Sequence, residues 1–210
     1  MRPLSEIYKI LDILRDKNPA PKSELNYHNA FTLLVAIVLS AQSTDKGVNK
    51  ATAELFKIAD TPQKMLNLGV DELKKHIKTI GLYNNKAKNI IELSRRLVTD
   101  YDNNVPSRRE DLESLPGVGR KTANVLLNVW WNQPTVAVDT HVLRLANRLG
   151  LSNGKTPLAV ETDLNKLSDT YKQHLNHWLV LHGRYICKAQ KPDCLNCPIS
   201  DLCKSSDKKI

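Results

Sequence analysis

Leu115-Pro116-Gly117-Val118-Gly119-Arg120-Lys121-Thr122-Ala123 sets two glycines one residue apart between two helical patterns. The first is short and acidic, from about Arg109 to Ser114; the second is apolar, from Arg120 to Trp131. Glycine permits a tight turn and close backbone approach. The N–H groups that open the second helix then face outward with the positive end of its dipole, which suits a phosphate. This is a helix-hairpin-helix arrangement. A plain corner between packed helices has the same Gly-x-Gly, and it is the basic pair Arg120-Lys121 at the helix start that favours a phosphate backbone.

Outward from the hairpin, helical periodicity continues. Leu4, Ile7, Leu11 and Leu14 recur at steps of three and four, and Leu66 to Ile80, Ile90 to Leu97 and Val142 to Leu149 behave similarly. Alternating strand patterns are scarce. Turn residues punctuate the pattern at Pro19-Ala20-Pro21, Thr61-Pro62, Gly81, Val105-Pro106, Gln133-Pro134, Gly150 and Asn153-Gly154, so an all-α chain of about ten helices is expected. The apolar run Ala30 to Ala41 falls short of the roughly 20 residues that a membrane helix needs and carries Thr32 and Ser40. It reads as a buried core helix.

The 210 residues suffice for one large or two small domains with a real core, and 41% hydrophobic with 25% charged residues excludes disordered, collagen-like and multi-span membrane chains. Thirty-one Lys and Arg against 22 Asp and Glu give a net charge of +9, which favours a polyanionic partner. Met1-Arg2-Pro3 leads directly into an amphipathic pattern and not into a secretory leader, so a cytosolic protein is expected. All four cysteines lie between Cys187 and Cys203, spaced Cys187-x6-Cys194-x2-Cys197-x5-Cys203. Without a leader, four thiolate metal ligands are a better reading than disulfides. The spacing alone leaves zinc and iron-sulfur open, since it has neither the paired knuckles of a zinc ribbon nor the common ferredoxin run.

Beyond Lys121, the apolar Val136-Ala137-Val138 runs into Asp139-Thr140-His141. Asp before a helix is a standard N-cap, and a capping carboxylate can also carry chemistry if a substrate atom reaches it.

Taken with the hairpin and the four-cysteine tail, Val138-Asp139-Thr140-His141, Leu39-Ser40-Ala41-Gln42-Ser43-Thr44-Asp45 and Gly81-Leu82-Tyr83 resemble the endonuclease III family over essentially the whole chain. That family comprises DNA glycosylases with abasic-site lyase activity. The resemblance implies a 4Fe-4S cluster on Cys187, Cys194, Cys197 and Cys203. It implies a two-domain helical fold, with residues 22 to 132 forming a six-helix domain that contains the hairpin. Residues 1 to 21 join 133 to 210 in the domain that carries the cluster.

The resemblance also implies roles. Lys121 attacks C1′ of the deoxyribose, expels an oxidised pyrimidine and forms a Schiff base, and β-elimination then cuts the strand 3′ to the lesion. An amine attacks only when neutral, and a free lysine of pKa about 10.4 is neutral in only about four parts in ten thousand at pH 7. A lysine nucleophile therefore needs a cationic neighbourhood or a proton acceptor, which Arg120 with the helix start, and Asp139, are expected to supply. Gln42 and Leu82 are implied as plug and wedge: the amide pairs with the orphaned base, and the apolar side chain intercalates. Gly117, Gly119, Arg120, His141 and Lys191 are expected to contact DNA, with Glu113 in a supporting place. Double-stranded DNA with damaged bases or abasic sites is the expected partner, and the chain is expected to act as a monomer, away from membranes, in a bacterial-type cytosol or nucleoid. Adenine mismatch glycosylases resemble the chain less, because they lack the lysine. A non-catalytic iron-sulfur DNA-binding protein is the reading from another class, and DNA binding without strand scission would mark it.

Overall fold

The computed structural model describes residues 1 to 209; Ile210, with which the expected second domain ends, lies outside them. Among the described residues there are eleven α-helices and no strand. The chain divides into two compact units, Ser23–Asn132 and a discontinuous one of Met1–Lys22 with Gln133–Ile210. Each has its own apolar core.

The continuous unit is built around α2 (Ala30–Ser40), in which every residue from Phe31 to Leu39 is buried. Its start is fixed by a reciprocal cap: the Thr32 N–H donates to Asn29 Oδ1 at 2.7 Å, and the Asn29 N–H donates to Thr32 Oγ1 at 3.1 Å. Three helices pack directly on α2: α3 (Asp45–Ile58), α6 (Tyr83–Asp100) and α8 (Arg120–Trp131). The short α4 (Pro62–Leu68) and α5 (Val70–Ile77) cover α6, and α7 (Arg109–Glu113) lies against α8. Apolar residues on one stripe of each helix close the core, among them Leu55, Leu73, Ile77, Ile90, Leu93 and Leu126.

This unit holds seven helices where six were expected, and the chain eleven where about ten were expected. The difference lies at Gly69. The periodic stretch from Leu66 to Ile80 is interrupted there because Gly69, at φ 79°, ends α4 and begins α5 in a backbone conformation that only glycine adopts without strain.

In the discontinuous unit, α11 (Asp169–Tyr185) packs against α1 (Leu4–Lys17) and α9 (Thr140–Arg148), with α10 (Pro157–Leu164) against α9. Ile7, Ile10, Leu11 and Leu14 of α1 meet Val142, Leu145, Leu175 and Leu179 in its core. Trp178 is buried, and its indole N–H donates to the Asn18 carbonyl at 2.8 Å, which satisfies the one polar group the ring brings inside. No helix among the described residues is long and apolar enough to cross a membrane.

Candidate functional site

The hairpin is local in its construction. Leu112, Leu115, Val118 and Ala123 are buried and anchor it to the core, while Gly117, Gly119, Arg120 and Lys121 are exposed. Gly117 sits at φ 78°, and a Cβ there would lie 3.0 Å from the Asn89 side chain of α6, so both conformation and space require glycine. Gly119 is different: a Cβ there would meet nothing within 4 Å. Neither its backbone angles nor its neighbours in the protein demand glycine. Gly119 caps α8 without a side chain, and Lys121 stands in the first turn of that helix. Glu113 is exposed at the end of α7.

Asp139 is the N-cap of α9. Its Oδ1 accepts the Val142 N–H at 2.9 Å, and the residue is half-buried. One carboxylate oxygen thus serves the helix and the other makes no hydrogen bond among the described residues. His141, in the first turn of α9, places Nδ1 3.3 Å from Arg144 Nη2 and packs on Gly183 of α11, where a Cβ would meet it at 3.1 Å. Sequence offered no sign of Gly183, which lets α9 and α11 approach closely.

Backbone strain singles out three of the candidate residues. Among the described residues six non-glycines have positive φ: Gln42, Leu82, Asp102, Asn103, Asn132 and Lys191. Asp and Asn tolerate the left-handed region; Gln, Leu and Lys do not favour it, and such strain concentrates at functional sites. Gln42 (φ 54°), Leu82 (φ 58°) and Lys191 (φ 51°) are also all exposed, Leu82 to 59%. Gln42 follows the end of α2, and Leu82 is the N-cap of α6. The two turns are neighbours, since a Cβ on Gly81 would lie 3.6 Å from the Gln42 carbonyl oxygen.

Helix α6 positions the rest of this surface. Leu82 caps it, Asn89 lies under Gly117, and Arg96 Nη1 donates to the Ser114 carbonyl at 2.6 Å, where α7 ends. Between them Lys86 is buried and its ammonium donates to Leu39 O, Ala41 O and Ser43 Oγ. Burial pushes its pKa down from the ordinary lysine value, while three oxygens hold the proton in place.

The four cysteines form no disulfide and line one small pocket, of about 20 Å³, together with Leu149, His182, Ile186 and Pro192. Four thiol donors around one pocket are a soft donor set that fits an iron-sulfur cluster. Burial pushes the Cys197 thiol up, and the three neighbouring cysteines add to that, which a cationic cluster would reverse. His182, held down to about 4 by burial, is neutral beside Cys197 Sγ at 3.6 Å.

Two arginines of α9 secure the loop that follows Cys187. Arg144 Nη2 donates to the Gly183 and Cys187 carbonyls at 3.0 and 3.1 Å. Arg148 donates to the Lys188 and Ala189 carbonyls at 2.7 and 3.1 Å and approaches Cys187 Sγ at 3.5 Å. The loop carries exposed Lys188 and Lys191 on a fixed backbone, which lowers the entropy cost of contacting an anion.

Comparison with known proteins agrees with this geometry. Residues 35–169 match the family model of HhH-GPD superfamily base excision DNA repair proteins, and residues 187–203 match the iron-sulfur binding domain of endonuclease III. Endonuclease III of Rickettsia conorii is 57% identical over 198 residues, 94% of each chain. That of Escherichia coli K12 is 52% identical over 201 residues, 95% of each. A solved structure of a trapped endonuclease III–DNA covalent intermediate, an estranged-adenine complex, superposes with a TM-score of 0.92 at 43% identity, covering 97% of both chains.

Proposed function

The chain belongs to the endonuclease III family, and from that membership we propose how its own residues divide the work of base excision repair. The protein is a bifunctional DNA glycosylase and abasic-site lyase that carries a 4Fe-4S cluster. Neither adenine-mismatch excision nor binding without catalysis is favoured, because relatives at 52 to 57% identity are endonuclease III.

The nucleophile is Lys121, and the observation that supports it best is its place in the first turn of α8, beside the uncapped N–H groups that suit the flanking phosphate. Its amine attacks C1′ and the N-glycosidic bond breaks with its electron pair leaving on the base; the C1′–O4′ bond then opens, O4′ takes a proton and a Schiff base forms, which permits β-elimination of the 3′ phosphate. Asp139, with one oxygen outside its capping bond, takes the amine proton and stabilises positive charge developing on the sugar. Gly119 leaves open the space through which the DNA backbone approaches, and Gly117, Arg120, His141 and Lys191 hold that backbone. Gln42 and Leu82 fill the space left by the extruded nucleotide. Oxidised pyrimidines in duplex DNA are the substrate class and the bacterial-type cytosol or nucleoid the place of work. The two compact units are the functional domains, one for the hairpin and one for the cluster. The product decides the reading: on a duplex bearing thymine glycol the protein releases the base and leaves a strand cut 3′ to the lesion, whereas base release with an intact strand would remove the lyase.

When bound, the cluster supplies four iron-thiolate bonds from Cys187, Cys194, Cys197 and Cys203, which staple the 187–203 loop. Protein prepared anaerobically is expected to carry about four iron per chain. Cys197→Ser is expected to lose iron and to weaken duplex binding by about tenfold or more, through loss of the ordered Lys191 loop. Most helical circular dichroism remains, since the continuous unit has a separate core. Zinc without iron in the wild type, or full DNA affinity without the cluster, would contradict the staple.

Affinity for undamaged duplex is expected to fall steeply with salt. Each neutralised phosphate contributes about −0.9 to the slope of log affinity against log salt, so three to five contacts give roughly −3 to −5. A slope near zero would remove the phosphate contacts assigned to the hairpin and the cluster loop.

A further inference from the structure

Lys86 has two features that an ordinary helix lysine lacks. It is only 6% exposed, and no carboxylate lies within ion-pair distance of it among the described residues. A buried ammonium without an anionic partner costs free energy that an apolar side chain at the same place would not. What it does in return is local and specific. Its Nζ donates to Leu39 O at 3.0 Å, Ala41 O at 2.5 Å and Ser43 Oγ at 3.1 Å, so it holds the residues on both sides of Gln42. Two of these oxygens belong to the last carbonyls of α2 and the turn beyond it, where the negative end of the helix dipole favours a cation. Its backbone N–H, in the first turn of α6, donates to the Leu82 carbonyl at 3.1 Å. That bond is the ordinary one of a helix's first turn, so what is particular to Lys86 is its side chain, which ties the Gln42 turn to the first turn of the helix that Leu82 caps.

We infer that Lys86 is a positioning residue for nucleotide extrusion, which fixes the Gln42 turn in register with the Leu82 turn so that plug and wedge enter the duplex together. The inference rests on the assignment of Gln42 and Leu82 to that insertion. Gln42 and Leu82 each occupy a left-handed conformation that their residue types do not favour, and neither is held by burial of its own side chain. An anchor beneath them supplies the over-determination that keeps a strained backbone in place. Lysine suits this better than an apolar residue, because only a multi-donor side chain reaches three oxygens at once.

The test compares two substrates. In the first, thymine glycol stands opposite adenine; in the second it stands opposite an abasic analogue, so there is no orphaned base to plug and less stacking to lose. Single-turnover base release gives a ratio of rates, paired over unpaired. Lys86→Met keeps the aliphatic stem and removes the ammonium, and is expected to lower this ratio by about tenfold while the unpaired substrate is processed at near the wild-type rate. Lys86→Arg, which retains donors and charge, should recover part of the ratio. A merely structural role would slow both substrates together, so an unchanged ratio in Lys86→Met overturns the inference. Should Lys86→Met fail to fold, Ser43→Ala decides, since it removes one of the three acceptors and leaves the carbonyls bound. A ratio lowered by about two- to threefold supports the role, and a wild-type ratio overturns it. Gln42→Ala, run alongside, separates the two claims. If it lowers the ratio and Lys86→Met does not, only the Lys86 role falls; if Gln42→Ala leaves the ratio intact, the plug itself falls.

Discussion

Lys121→Gln is expected to bind an abasic duplex within about tenfold of the wild type, since one lost cation removes one phosphate contact among several. It is expected to lose base release and strand scission by on the order of 10⁴-fold or more, because no other group can form the covalent bond. Glutamine preserves length and polarity but has no basic electron pair. Lys121 is exposed and makes no hydrogen bond among the described residues, so the substitution disturbs no packing. A fall in affinity that accounts for the whole loss of turnover would make Lys121 a phosphate-binding lysine and move the nucleophile elsewhere. Single-turnover kinetics with enzyme in excess, beside an equilibrium binding titration, distinguish the two outcomes.

The second large effect is expected at Asp139, where structure and chemistry can be separated. Asn equals Asp as an N-cap, so Asp139→Asn keeps the bond to the Val142 N–H and changes stability by no more than about 1 kcal/mol, from the lost charge at the helix start. Turnover is expected to fall by roughly 10² to 10⁴, because the amide neither takes a proton nor stabilises a cationic sugar. Asp139→Ala loses the cap as well and should unfold about 1 kcal/mol more easily than Asp139→Asn with the same chemical defect. Normal turnover in Asp139→Asn would leave Asp139 a cap and nothing more. Thermal unfolding and base-release rates on the pair measure the two effects independently.

What could be read from the chain without coordinates was whatever is local in sequence. The helical class followed from spacing, and the hairpin from two glycines with a basic pair after them; the structure has no strand among its described residues and starts α8 at Arg120. The four cysteines lie within one short loop, so their grouping needed no fold to reveal it. Gly69 was missed because a single glycine inside a periodic run is compatible with an unbroken helix, and only its positive φ shows the break.

Lys86 was illegible for a different reason. A lysine on an amphipathic helix reads as solvated, and its acceptors lie 43 to 47 residues earlier in the chain. Arg144 and Arg148 are alike in this respect, since their carbonyl partners at Gly183, Cys187, Lys188 and Ala189 are distant in sequence. The strain at Gln42, Leu82 and Lys191 was hidden too, because nothing about Gln, Leu or Lys announces a left-handed backbone. For Gln42 and Leu82, sequence supplied only the family resemblance; the structure adds the strain, the exposure and the shared anchor.

The central claim is a covalent one, that the Lys121 amine becomes bonded to the sugar. Borohydride reduction traps a Schiff base as a stable amine, so the direct measurement is trapping of the wild-type protein on a duplex with an abasic site, followed by proteolysis and mass mapping of the linked peptide. The account predicts the reduced sugar on the peptide that contains Lys121, with no adduct formed by Lys121→Gln. An adduct on any other amine, or a strand cut that leaves no trapped complex at all, would contradict it.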